Sequence, residues 1–143
     1  MINTHEAIQQ LRQAGHKITP QRRAILAILE GNTTHPTAEA VFRDLQSTMP
    51  DVALATVYNT LNELARVGLV NTLAADGDGA VHFDPNTAEH AHLVCLTCGR
   101  IFDIQVDPRA LRLAEAQVNG FRVLRRQLTY YGTCPDCQDK SIE

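Results

Sequence analysis

Two C-x-x-C pairs, Cys95 with Cys98 and Cys134 with Cys137, restrict the possible folds of this chain more than any other feature. If both pairs serve one centre, residues 99–133 must leave and return to the same point. Four thiolates at such spacing suit a tetrahedral structural zinc ion, which supplies folding energy directly. A thiol-redox reading competes, because Cys134-Pro135-Asp136-Cys137 carries a proline inside its motif. A zinc-knuckle thiol-redox protein would use one pair and leave the other unexplained. Residues 90–143 alone bury little core, so a structural metal, a partner subunit, or both must brace them.

A second ligand set is interleaved with the first. Asp84, His90, His92 and Asp103 supply imidazole and carboxylate rather than thiolate, and so suit a different metal. His90-x-His92 places two imidazoles on one side of a strand or tight turn, and Asp103 falls on the neighbouring strand of a hairpin. His35 and Asp84 can approach from the first half of the chain. Three imidazoles and two carboxylates suit iron(II), manganese(II) or, less distinctively, zinc. Any one of these residues alone is more often ordinary surface or core, and their convergence is an inference. His5, His16 and His82 are read as ordinary residues.

The pattern along the chain predicts an α+β protein in two parts. Ile8 and Leu11 mark a first helix that Gly15 ends. Thr19-Pro20 caps and opens a second helix, with Ile25, Leu26, Ile28 and Leu29 as its buried positions. Thr37 caps a third, carrying Val41, Phe42, Leu45 and Met49 and stopped by Pro50. A fourth runs from about Leu54 to Val67. Gly68-Leu69-Val70 then enters a strand, Asp76-Gly77-Asp78-Gly79 turns the chain, and Val81-His82-Phe83-Asp84 returns it. Helices followed by a hairpin make a winged helix-turn-helix. Beyond it, two short apolar runs flank the Cys95–Gly99 turn, a helix carries Leu111, Ala114 and Val118, and a last strand spans about Arg122 to Tyr131. The expected division is a DNA-binding domain over 1–84, a hinge over 85–89, and a small α/β dimerisation and metal-binding domain over 90–143.

On the fourth helix, Val57, Leu61, Leu64 and Ala65 share one face, while Ala55, Tyr58, Asn59, Asn62 and Arg66 share the other. Asparagine can pair with adenine and an alanine methyl can touch a thymine methyl, so the outer face suits base edges and phosphates. The plain alternative is a solvated surface. His16, Lys17, Arg22 and Arg23 cluster near the second helix as a phosphate clamp, with Lys17 and Arg22 as the expected contacts. A formal net charge of -3 opposes a protein that coats nucleic acid, so contact with double-stranded DNA must be local. No apolar run reaches membrane-spanning length, and the first residues lack the pattern of a secretory signal, which predicts a cytoplasmic location with no membrane partner. A zinc deaminase would want H-x-E followed by P-C-x-x-C; neither occurs, and no enzyme is expected.

Three segments resemble the signatures of the ferric uptake regulator (Fur) family of metal-dependent bacterial repressors. They are Gly15-His16-Lys17-Ile18-Thr19-Pro20-Gln21-Arg22, Ala55-Thr56-Val57-Tyr58-Asn59-Thr60-Leu61, and His90-Ala91-His92-Leu93-Val94-Cys95-Leu96-Thr97-Cys98-Gly99. The resemblance covers nearly the whole chain. It implies a homodimer on A/T-rich palindromic operators and a regulatory metal between the two halves. Within the family the chain is most similar to the peroxide-sensing (PerR) branch, which has the set His35, Asp84, His90, His92 and Asp103. For that branch, repression with iron(II) or manganese(II) and oxidation of His35 or His90 by peroxide are implied; the alternative is an iron- or zinc-responsive uptake regulator. Two departures stand out. Glu89, Ala91 and Arg126 occupy the neighbourhood of a further metal site found in many iron-sensing members, and Ala53 is a poor N-cap for the fourth helix.

Overall fold

The structure, a computed structural model, describes residues 1–74, 79–114 and 118–139. It divides into two compact units, Met1–Ala88 and Glu89–Glu143.

The first unit contains α1 (Thr4–Gln13), α2 (Pro20–Leu29), α3 (Ala38–Leu45), α4 (Leu54–Arg66) and an antiparallel pair, β1 (Asn71–Ala74) with β2 (Val81–Asp84). This is an α+β winged helix. Asn3, Thr19 and Thr37 cap their helices by accepting from the N–H three residues on, at Glu6, Arg22 and Ala40. Ala53 offers α4 no such bond. Glycines close α1 and α4 in the same way: Gly15 and Gly68 take φ of +86° and +81°, and the next N–H reaches back to Leu11 and Leu64. Ile25, Leu26 and Leu29 of α2 pack with Leu11, Val41, Leu45, Val57, Leu61, Leu64, Val70 and Phe83 in one core; Ile28, Phe42, Met49 and Ala65 pack half-buried at its edge. Full burial of each large side chain contributes on the order of 1.5–3 kcal/mol.

α3 stops at Leu45, before Pro50. The side chains of Gln46, Ser47 and Thr48 donate back to the carbonyls of Phe42, Asp44 and Leu45, a local alternative to continuing the helix. Met49 therefore reaches the core from outside the helix. The expected turn at Asp76–Gly79 lies, up to Asp78, outside the described residues.

In the second unit β3 (Ala91–Cys95) is the central strand, antiparallel to β4 (Ile101–Ile104) and parallel to β5 (Thr129–Gly132). A short α5 (Pro135–Gln138) follows. The helix expected through Leu111, Ala114 and Val118 is not formed as such. A 3-10 turn covers Pro108–Leu111, residues 112–114 are not helical, and residues 115–117 lie outside the described set. Ala114 is exposed and Leu111 and Val118 are only half-buried, and a short helix without burial of its apolar stripe lacks its main source of stability. The final strand is also shorter than expected, because β3 offers partners only from His92 to Cys95, which pair with Thr129 to Gly132. The Leu128 carbonyl still accepts from the His92 N–H at 3.0 Å, but residues 121–128 are not part of a strand. Among the described residues, the buried apolar ones here are few: Ala91, Val94 and three of the cysteines. Among the described residues of the chain, no helix is long and apolar enough to cross a membrane.

Candidate metal centres and nucleic-acid face

β3 delivers Cys95 at its end. The chain then turns so tightly that the Gly99 N–H donates to the Cys95 carbonyl and the Cys95 N–H to that of Arg100. Gly99 takes φ of +78° at this turn, which brings Cys98 back over Cys95. On the other edge β5 pairs Gly132 with Cys95, so Cys134 arrives beside it. The ligand atoms of Cys95, Cys98, Cys134 and Cys137 all lie within 4.8 Å of one another. Cys98 Sγ and Cys134 Sγ are 3.9 Å apart. Zinc–thiolate bonds of about 2.3 Å in a tetrahedron set sulfur atoms about 3.8 Å apart, so the four thiols fit that ion.

The surroundings favour the thiolate at Cys95 and Cys98 and oppose it at Cys137. The N–H groups of Cys134 and Cys98 donate to Cys95 Sγ at 3.4 and 3.5 Å and pull its pKa down to about 5. The guanidinium of Arg100 lowers that of Cys98. Hydrogen bonding with Cys134, followed by burial, pushes Cys137 up to about 12. Arg100 spans the centre, donating to Cys98 Sγ at 3.5 Å, Cys134 Sγ at 3.4 Å and Asp136 at 2.7 Å. Its positive charge offsets part of the negative charge that four thiolates concentrate here.

The imidazole and carboxylate residues form one group in each unit. In the first, His35 and Asp84 are buried, with His35 Nε2 3.7 Å from Asp84 Oδ2; the other carboxylate oxygen accepts from the Asn86 N–H. In the second, His90 immediately precedes β3, and His92 pairs in register with Asp103 of β4. The Nε2 atoms of His90 and His92 are 3.0 Å apart, and each lies 3.4 Å from Asp103 Oδ1. Two imidazole nitrogens and a carboxylate oxygen converging on one point are a donor set for iron(II), manganese(II) or zinc.

The face of α4 expected to meet nucleic acid is exposed at Ala55, Tyr58, Asn59, Asn62 and Arg66. Two of these side chains are already engaged. Tyr58 donates its hydroxyl to Glu39 Oε1 of α3 at 2.5 Å, which lowers the pKa of the glutamate and raises that of the phenol. Arg66 pairs with Glu63, and Glu63 also lies 3.4 Å from His16. An open cleft lined by Lys17, Thr19, Arg22, Thr56 and Asn59 separates the start of α2 from α4. There Arg22 donates to the carbonyl of Lys17 at 2.5 Å, which fixes one basic group beside the other.

The profile of the ferric uptake regulator family matches residues 13–131. The chain belongs to this family. Among Fur-family relatives, it is 42% identical over 137 residues to the peroxide-responsive repressor PerR of Staphylococcus aureus (strain USA300), covering 94% of this chain and 91% of that protein. The structure of PerR from Streptococcus pyogenes, described for peroxide sensing and gene regulation, is 35% identical, with a TM-score of 0.57 over 96% of this chain and 95% of that one. The Fur structure from Pseudomonas aeruginosa with manganese is 31% identical, with a TM-score of 0.71 over 94% and 99%.

Glu39, Glu63, Arg100 and His82 carry interactions that the pattern of this Fur-family chain's sequence did not single out. Glu39 is exposed and Glu63 half-buried, and in the sequence both look like ordinary solubilising charges. Arg100 could have been suspected from its place directly after the Cys-x-x-Cys-Gly turn, where a cation meets thiolates. His82 donates through Nδ1 to the carbonyl of His35 at 2.7 Å. Arg126 pairs with Glu89, so a guanidinium stands against that carboxylate.

Proposed function

We propose that the chain is a metal-dependent transcriptional repressor that senses peroxide by oxidation of a histidine ligand. The observation that carries this reading is the convergence of His90, His92 and Asp103 in a chain with 42% identity to a PerR along nearly its whole length. Residues 1–84 form the DNA-binding domain, 85–89 the hinge, and 90–143 the dimerisation and metal-binding domain. Cys95, Cys98, Cys134 and Cys137 hold a structural zinc. His35, Asp84, His90, His92 and Asp103 together hold iron(II) or manganese(II).

Because both domains contribute ligands in this reading, filling the site restrains one against the other. It selects the form of the homodimer whose two α4 helices meet two half-sites of an A/T-rich palindrome. A differential affinity of a few kcal/mol between the two forms suffices to shift such a population. Lys17 and Arg22 hold phosphates, and Ala55, Tyr58, Asn59, Asn62 and Arg66 face the groove. The second copy supplies cover for apolar residues that one chain leaves exposed, Phe102, Phe121, Val123, Leu124, Tyr130 and Tyr131. The repressor acts in the cytoplasm.

Iron(II) held by these residues would supply the chemistry that activates peroxide. One imidazole, that of His35 or His90, would take up one oxygen atom of hydrogen peroxide while the other leaves as water, and an oxidised imidazole no longer ligates. Each event consumes a side chain of the protein, so the chemistry is a switch and not enzymatic turnover.

The test is mass spectrometry with a DNA-binding assay. With iron(II), brief exposure to peroxide should add one oxygen atom to the peptide carrying His35 or the one carrying His90, and operator binding should fall in step. With manganese(II), binding should persist and neither peptide should change. Oxidation confined to cysteines would replace this reading with a thiol switch. Activation by zinc alone, without histidine oxidation, would make the protein a zinc-responsive regulator.

A further inference from the structure

His35 has a backbone conformation that its own sequence opposes. Its φ is +54°, in the left-handed region where a side chain with Cβ is disfavoured, and it precedes Pro36, which pushes the residue before it toward extended backbone. Such a conformation persists only where neighbours over-determine it.

β2 supplies those neighbours. His82 and Asp84 alternate with Phe83 along the strand, so they share one face. From that face the Nδ1–H of His82 donates to the carbonyl of His35 at 2.7 Å, while Asp84 Oδ2 stands 3.7 Å from the imidazole of the same residue. Between them the Phe83 N–H donates to the Pro36 carbonyl at 2.8 Å. Thr37 forms an antiparallel bridge with His82 and then caps α3. The segment 35–37 is thus stitched to β2 on consecutive residues, with the His82 bond acting on the carbonyl of His35 itself.

We infer that His82 is a positioning residue: its hydrogen bond holds the His35 backbone in the left-handed conformation and thereby aims the His35 imidazole for metal. This rests on the reading of His35 as a regulatory ligand. It also ties the stem of the wing to that ligand, so the β1–β2 hairpin and His35 are held as one piece. A half-buried histidine with no conspicuous motif around it acquires a definite task.

Manganese(II) titration of the zinc-loaded full chain, followed by electron paramagnetic resonance of the free ion, tests it. His82→Ala should weaken manganese binding by roughly ten-fold or more, the range for loss of a group that orients a ligand. His82→Asn, whose side-chain amide keeps a donor close to the position of Nδ1, should recover most of that loss. In a His35→Ala background, His82→Ala should cost nothing further, because a residue that acts only through His35 has nothing left to position. Unchanged affinity in His82→Ala overturns the inference, as does a loss that simply adds to that of His35→Ala. The additive result would mark a general weakening of the fold. If the parent chain binds no manganese, the metal reading itself falls and this inference with it. A parent that binds alongside an indifferent His82→Ala sinks the inference alone.

Discussion

Replacing Ala53 with serine should stabilise the first unit by about 1 kcal/mol, the usual worth of an N-cap hydroxyl over a methyl. The geometry is already in place. Ala53 has φ -80° and ψ 151°, close to the -79° and 168° of Thr37 and the -93° and 160° of Thr19, each of which accepts from the N–H three residues on. The corresponding donor, Thr56 N–H, now reaches the Ala53 carbonyl at 3.1 Å. Ala53 is exposed, so a hydroxyl displaces no packing. Every described α-helix of eight residues or more lies between Thr4 and Arg66, so far-ultraviolet circular dichroism of the whole chain follows this unit. With a urea slope of about 1–3 kcal/mol per molar, the midpoint should rise by roughly 0.3–1 M. For a domain of this size that corresponds to a melting temperature higher by about 4–8 °C. Thr37→Ala should shift the midpoint downward by a similar amount. An unmoved midpoint in Ala53→Ser, with an unchanged slope and a responsive Thr37→Ala control, would refute the claim that α4 is weakened by the lack of a side-chain cap.

Cys134→Ser should lose zinc and the dimer together, because a structural zinc supplies roughly 10–16 kcal/mol of apparent binding free energy to a unit with few buried apolar residues; metal analysis beside sedimentation equilibrium checks this, and a zinc-free folded dimer would contradict it. Tyr58→Ala should weaken operator binding by about 1–3 kcal/mol while manganese and zinc binding stay as they were. Equal operator affinity would return this helix face to ordinary solvated surface. Glu39→Gln should move the titration of Tyr58 down, toward the ordinary 10.0. The sign follows from the hydrogen bond: ionisation of the phenol removes the proton that Glu39 accepts and sets two negative charges together, so the carboxylate favours the neutral phenol. Ultraviolet difference titration against Tyr58→Phe isolates this residue, and an unshifted phenol would show that the contact does not persist in solution.

Much of the first unit is legible in the chain because its signals are local. Thr19-Pro20 and Thr37 announce helix starts, Gly15 and Gly68 announce ends, and the 3.6-residue spacing of Val57, Leu61 and Leu64 reveals which side of α4 is inside. The α+β class and the clustering of two C-x-x-C pairs follow from spacing in the same way. What resists reading depends on distant partners. Leu111 and Ala114 have helical spacing, yet spacing does not provide a surface to pack on. Val123 and Leu124 have strand-like character, yet β3 runs out of partners before reaching them. His82 meets His35 from 47 positions away, and Arg100 reaches Asp136 from 36. Such contacts exist only once the strands have paired.

The parallel pairing of β3 with β5 also bears on how the chain comes together. Cys98 and Cys134 stand 36 residues apart, and closing a loop of that length costs about 3 kcal/mol in chain entropy before a parallel ladder can form. The first unit packs neighbouring helices joined by short connections, but its wing also closes a long loop, with His82 meeting His35 from 47 positions away. The three-stranded sheet closes only when its two ends meet, and an ion bound by the four thiols would hold them together. Phe121, Leu124 and Tyr130 stay exposed in the folded chain, so cover from a partner, and not zinc alone, would end their risk of misassociation.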